Sequence, residues 1–180
     1  MFAGLFKKTD PAVHELYSRI IEQARHPMFY AALGVPDTVD GRFDMIVLHA
    51  MLVLRRLRGQ GDAAERRGQE LFDLMFKDMD QSLRESGVGD MSVGKHIKRM
   101  AQAFYGRAES AEKGLDAVIA DSASTALEQA LLANVYRKAP PPAAVLKAMQ
   151  AYLLRADRHI AAQNAADLVA GQVDLKVAVA

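Results

Sequence analysis

Residues 71–107 read LFDLMFKDMDQSLRESGVGDMSVGKHIKRMAQAFYGR, and the spacing of their apolar side chains decides the fold class. Leu71, Phe72, Met75, Phe76, Met79 and Leu83 recur at intervals of three and four, which places them on one stripe of an α-helix. Asp73, Asp78, Asp80 and Glu85 fall off that stripe. Asp73 precedes Lys77 by four residues and Asp80 precedes Arg84 by four, the favourable order for ion pairs along a helix. Gly87 can adopt the left-handed conformation that ends a helix. Asp90 or Ser92 then supplies a side-chain oxygen to cap the next one.

That second helix carries Val93, Ile97, Met100, Ala101, Phe104 and Tyr105 on one face, with Lys95, Lys98, Arg99 and Arg107 as its charges. Two amphipathic helices joined by Gly-Val-Gly-Asp are expected to pack antiparallel, apolar face to apolar face. The expected product is a central hairpin with one acidic and one basic arm. Most charged helix faces are simply solvated, and that reading stands beside a sharper one, in which the arms form a docking surface.

Several phrases here, with Leu33–His49, carry a family likeness. LGVPDTVDGRFD, LFDLMFKDMD, LRESGVGD, VGKHIK and AFYGR together resemble the ubiquinol–cytochrome c chaperone family, bacterial relatives of the mitochondrial assembly factor for cytochrome b. The resemblance runs from about Tyr17 to Tyr105 and continues more weakly through the C-terminal helices. It implies a protein that binds newly made cytochrome b during assembly of the bc1 complex. It further implies, by analogy with the mitochondrial branch, a small partner protein and the ribosome as further partners.

The composition bounds the alternatives. A chain of 180 residues with 51% apolar and 25% charged side chains suits one soluble domain with a real core. A net charge of +1, from 23 basic and 22 acidic residues, leaves no global field to attract DNA or an anionic membrane. The absence of cysteine excludes disulfides, thiolate metal sites and thiol nucleophiles. MFAGLFKKTD lacks a secretory h-region, and no apolar window reaches the ~18 residues of a membrane span. The expected location is cytoplasmic; Phe2, Leu5 and Phe6 beside Lys7 and Lys8 offer only a weak foot for peripheral contact at the inner membrane, and the commoner reading of such an end is that it frays or folds back onto the domain. Residues 1–10 are expected to be a flexible segment, 11–170 the helical domain, and 171–180 a tail that is disordered or docks extended.

Helical periodicity continues through the rest of the chain. Asp10-Pro11 opens a first helix buried through Val13, Leu16, Tyr17, Ile20, Ile21 and Ala24. His26-Pro27 interrupts it. Gly34-Val35-Pro36-Asp37 is a breaker cluster, with Asp37 and Thr38 suited to turn hydrogen bonds. Met45–Leu54, MIVLHAMLVL, is apolar nearly all round and so belongs in the middle of a bundle. Arg55, Arg56 and Arg58 follow, and Gly59 and Gly61 end the helix. A separate helix is expected over Ala108–Ile119, and another capped by Asp121 or Ser122. Pro140-Pro141-Pro142 breaks the chain before a last helix that continues to Leu168. The predicted fold is an all-α, single-domain bundle of six to eight helices.

No catalytic signature is present. G-x-S-x-G, Walker and dinucleotide loops and H-E-x-x-H are all missing, and GVGDMSVG follows a helix rather than a strand. Asp78 and Asp80 point in different directions on a helix, which disfavours a shared metal. His49 stands alone and reads as a hydrogen-bonded structural histidine. Met45, Met51, Met75, Met79 and Met100 either fill the core or line an adaptable groove. No cofactor and no enzymatic activity are expected.

The leading expectation is therefore a non-enzymatic chaperone. Its client would be gripped by Asp73, Asp78, Asp80 and Arg84 on one arm and Lys95, Lys98, Arg99 and Arg107 on the other, with Phe104 and Tyr105 giving apolar contact. A second reading is an RNA- or ribosome-binding module built on Arg55, Arg56, Arg58, Arg66 and Arg67 together with the Lys95–Arg107 cluster. A third is a small-molecule enzyme with His49 or the aspartates in a deep pocket.

Overall fold

The computed structural model describes residues 10–137 and 139–179. The N-terminal membrane segment proposed above lies outside them, save Asp10. Eight helices follow in chain order: α1 (Pro11–Ala24), α2 (Pro27–Ala31), α3 (Val39–Leu57), α4 (Asp62–Glu85), α5 (Asp90–Ala120), α6 (Ala126–Asn134), α7 (Ala143–Ala161) and α8 (Ala165–Val169). No strand occurs among the described residues.

The middle of the bundle is α3, not the α4–α5 pair. Twelve of its 19 residues are buried, and it packs against α1, α4, α5, α7 and α8. The all-round apolar run MIVLHAMLVL accounts for this, because a helix without a polar face must be covered on every side. Its start is set by Thr38, whose Oγ1 accepts from the Gly41 N–H at 3.1 Å, and by the Asp37–Arg42 pair at 2.7 Å. Gly41 is required there: a Cβ would lie 1.9 Å from the Pro36 carbonyl oxygen.

Local chemistry sets the other boundaries. Asp10 caps α1 by accepting from the Ala12 N–H at 2.9 Å, with Pro11 in the first turn where no N–H is needed. His26 caps α2 through Nδ1. At the end of α4, Gly87 adopts φ +83°, Val88 N–H donates to Leu83 O at 3.1 Å and Gly87 N–H to Arg84 O at 3.0 Å. That pair of bonds is the Schellman arrangement.

Four expectations of detail are corrected. Neither Asp90 nor Ser92 caps α5; Gly89 occupies the cap position without a side-chain bond, and Asp90 is drawn to Arg84 instead. The segment Ala108–Ile119 is not a separate helix but the continuation of α5, which contains no breaker before Asp121. Asp121 accepts from the Ala123 N–H at 2.9 Å in a turn, and α6 starts after Thr125, so neither Asp121 nor Ser122 caps it. The final helix breaks near Asn164, whose side chain caps α8. Beyond α8, residues 172–179 run extended, with Val173, Leu175 and Val179 buried. Gln163 holds this segment by bonding both Asp174 N–H at 2.9 Å and Asp174 O at 2.7 Å.

Candidate interaction surface

The α4–α5 contact is built from phenylalanines. Phe76 and Phe104 are 8% and 2% exposed, and their rings meet edge to face at 6.0 Å. Phe72 packs edge to face on Phe104 at 5.5 Å and stacks on Tyr105 at 5.2 Å. Tyr105 itself is 58% exposed, so this cluster runs from the core to the surface. Such ring pairs add roughly 0.5–1.5 kcal/mol each beyond area burial.

The charges around this cluster divide into engaged and free. Asp73 accepts from Gln69 at 2.8 Å rather than pairing with Lys77. Asp78 accepts from the Tyr17 hydroxyl at 2.9 Å, tying α4 to α1; burial and the Asp78 charge both raise the Tyr17 pKa. Asp80 pairs with Arg84 at 2.6 Å, as the sequence spacing predicts, and Arg84 also holds Asp90. The acidic members of the expected grip are therefore occupied within the fold. Lys95, Lys98 and Arg99 are exposed and have no ion-pair partner among the described residues.

Arg107 belongs to a different structure. It holds the carboxylate of Asp44, which is 2% exposed, and Arg137 reaches the other oxygen at 2.9 Å. Arg107 also lies 5.3 Å from the Phe43 ring centre. This hub joins α3, α5 and the segment after α6. Burial is the larger influence on Asp44 and pushes its carboxyl up to about 7, while Arg107 and Arg137 pull the other way. Sequence reasoning placed Arg107 at a client surface and missed Asp44. The signal was an acid at the start of a helix apolar on every side, a position that demands a buried cation.

The first basic cluster is also engaged. Arg55 meets Glu112 at 3.1 Å and Asp157 at 3.2 Å, Arg58 meets Glu112 at 2.8 Å, and Arg56 donates to Gln163 O at 2.7 Å. Arg67, 10% exposed at its side chain, bonds Asp10, Glu70 and Val169 O. Four of the five arginines proposed for phosphate contact thus hold the bundle together, which leaves the RNA reading Arg66 with Lys95, Lys98 and Arg99 of α5.

His49 is 1% exposed. Its Nδ1 lies 2.7 Å from Met45 O, and a carbonyl can only accept, so Nδ1 carries the proton. Nε2 then accepts from the Tyr152 hydroxyl at 2.7 Å, which accepts in turn from Gln23 at 3.1 Å. Phe29 packs edge to face on both rings. Burial lowers the His49 pKa to about 4. It is a satisfied core histidine, not the base of an enzyme pocket. The described residues contain no group of three or more His, Asp or Glu able to hold a metal. Met45, Met51, Met75 and Met79 are buried core side chains. Met100 is half-buried, and Met91, unremarked in the sequence, is fully exposed.

Comparison with known proteins adds a family, a solved structure and two animal relatives. A family model described as ubiquinol-cytochrome C chaperone matches residues 31–177. The chain is similar to the crystal structure of the Cbp3 homolog from Brucella abortus, at 35% identity and a TM-score of 0.78, over 93% of this chain and 91% of that one. It is also 21% identical over 108 residues to ubiquinol-cytochrome-c reductase complex assembly factor 1 of Xenopus laevis, covering 60% of this chain and 54% of that protein. The human protein named ubiquinol-cytochrome c reductase complex assembly factor 1 aligns at 23% identity over 36% of its length. The chain thus spans about half the length, or less, of these animal relatives.

Proposed function

The chain belongs to the ubiquinol–cytochrome c chaperone family, and on that footing we propose that it is a non-enzymatic chaperone for assembly of the ubiquinol–cytochrome c reductase complex. The component it binds is newly made cytochrome b. The observation that carries this reading is the family match over residues 31–177, supported by the likeness to the Brucella abortus structure along nearly the whole chain. No described helix is long and apolar enough to cross a membrane.

Within this proposal the client-facing surface is the outer side of the α4–α5 pair. Lys95, Lys98 and Arg99 supply unpaired charge, Tyr105 supplies an exposed ring on a rigid aromatic base, and Phe104 holds that ring in place. Asp73, Asp80 and Arg84 border the surface. Asp78 and Arg107 serve it indirectly, fixing α4 to α1 and α5 to α3. Of the two basic clusters available to a ribosome, the one on α5 keeps Lys95, Lys98 and Arg99 free, while Arg107 is held by Asp44.

The test is site-specific photo-crosslinking from position 105 in cells making cytochrome b. Adducts containing cytochrome b are expected there and not from Ile119, which is exposed at the far end of the same helix. Equal labelling from both positions, or none from 105, refutes the placement. Normal levels of the assembled complex in cells lacking the protein refute the function.

A further inference from the structure

The α4–α5 pair changes character along its length. From Asp80 to Ala103 the one fully buried side chain is Val93, and Val93 lies outside the contiguous hydrophobic core. Leu83, Val88, Ile97 and Met100 are only half-buried. Ile97 and Met100 touch the core at the base of this end of the pair, which is thus a two-helix arm whose apolar seam the described residues cover incompletely. Two helices alone leave one long side of such a seam open, and a third helix is the element that closes it.

The charge on the α5 side of the seam is of one sign. From Met91 to Ala108 the sequence contains no aspartate or glutamate. Lys95, Lys98 and Arg99 occupy two successive turns and are unpaired, whereas on α4 Asp80 is neutralised by Arg84. Lys98, Ala101 and Tyr105 follow one another at helical spacing on the same flank of α5. Tyr105 stacks there on Phe72 of α4. Lys95 and Tyr105 are ten residues apart, about 15 Å along the axis.

We infer that this arm receives an amphipathic helix with an acidic flank, which lies along the seam as a third helix. Its apolar face covers Leu83, Ile97 and Met100, its carboxylates meet Lys95, Lys98 and Arg99, and it engages about three turns of α5. Charge complementarity selects this occupant: an anion-poor surface 18 residues long is matched by carboxylates spaced one turn apart. The inference rests on the assembly-chaperone reading for its biological setting and goes beyond it by naming the chemistry of the bound segment.

The experiment uses the full chain and a fluorescent synthetic helix of about 18 residues, five turns, with leucines on one face and glutamates along one flank. A second peptide carries lysine at every glutamate position. Binding is read by anisotropy at low and high salt. The glutamate peptide is expected to bind, to weaken with salt, and to lose about tenfold in affinity to a Lys95→Glu/Lys98→Glu variant. The lysine peptide is expected to bind that variant in preference to the original chain. Circular dichroism checks that the variant keeps its fold, as two exposed sites predict.

Indifference of the glutamate peptide to the charge reversal overturns the inference, as does failure to bind at all. Two other occupants are tested with it. Binding to phosphatidylcholine–phosphatidylglycerol vesicles without peptide binding assigns the arm to a membrane surface and overturns the inference. Concentration-dependent dimerisation abolished by the same variant assigns it to a second copy, with the same consequence. Loss of the assembled complex on gene deletion, with full assembly in cells carrying the charge-reversed variant, defeats this inference and leaves the chaperone reading intact.

Discussion

The Tyr152 hydroxyl donates to Nε2 of His49 at 2.7 Å, joining α7 to α3 in the middle of the bundle. With Met45 O on the other ring nitrogen, this geometry accommodates only the neutral imidazole. The folded pKa is near 4 against an ordinary 6.5. Between those values the unfolded chain binds a proton that the folded chain does not. Stability from this group is therefore complete above about pH 6.5 and declines as pH falls toward 4, by on the order of 3 kcal/mol. Urea denaturation of the original chain and His49→Gln at several pH values tests this. The difference between their slopes against pH should be confined to that window.

Asp44 makes a different demand. Removing it leaves Arg107 and Arg137 half-buried with their shared carboxylate gone. Asp44→Ala is expected to lower stability by about 3 kcal/mol, as for other broken buried pairs. Asp44→Asn retains an acceptor and should cost less. Thermal melting of the two variants against the original chain decides the order.

Two glycines of α5 should respond in opposite directions. A Cβ on Gly114 would lie 2.7 Å from Leu127 Cα, so α5 and α6 would have to move apart. Gly114→Ala is expected to cost roughly 1–3 kcal/mol. A Cβ on Gly94 would meet open space, and Gly94→Ala should stabilise by up to ~1 kcal/mol through helix propensity. Paired denaturant titrations measure both.

The aromatic cluster separates fold from function. Phe104 is buried and touches Phe72, Phe76 and Tyr105; Phe104→Ala should cost about 3–5 kcal/mol. Tyr105→Ala removes a largely exposed ring and should cost under ~1.5 kcal/mol. On the proposed function, cells carrying Tyr105→Ala should nonetheless accumulate less assembled complex, measured by native gel, at an unchanged level of the protein.

The elements and the core were legible because helical spacing repeats faithfully. The stripe Leu71–Phe76–Met79 and the all-round run MIVLHAMLVL each admit one packing role, and Gly87 admits one turn. The partners of charged side chains were not legible. Asp73 precedes Lys77 by four residues, but Gln69 sits four residues before Asp73 and wins its carboxylate. Asp78 and Arg107 look like solvent-facing charges in sequence, but bond Tyr17 and Asp44, about 60 positions away. Local spacing limits which pairs are possible; the tertiary approach of distant helices decides which form. The free cations of α5 emerge only once the nearby acids Asp80 and Asp90 are seen to be matched by Arg84.

Arg67 links the cap of α1, through Asp10, to the last carbonyl of α8, Val169. Helix α1 thus finds part of its final surroundings only after α8 has been made, some 145 residues later. At cellular elongation rates that interval is on the order of 10 s. During it, the link from Asp10 through Arg67 to α8 is missing, so the closing of this corner of the bundle waits on the end of synthesis.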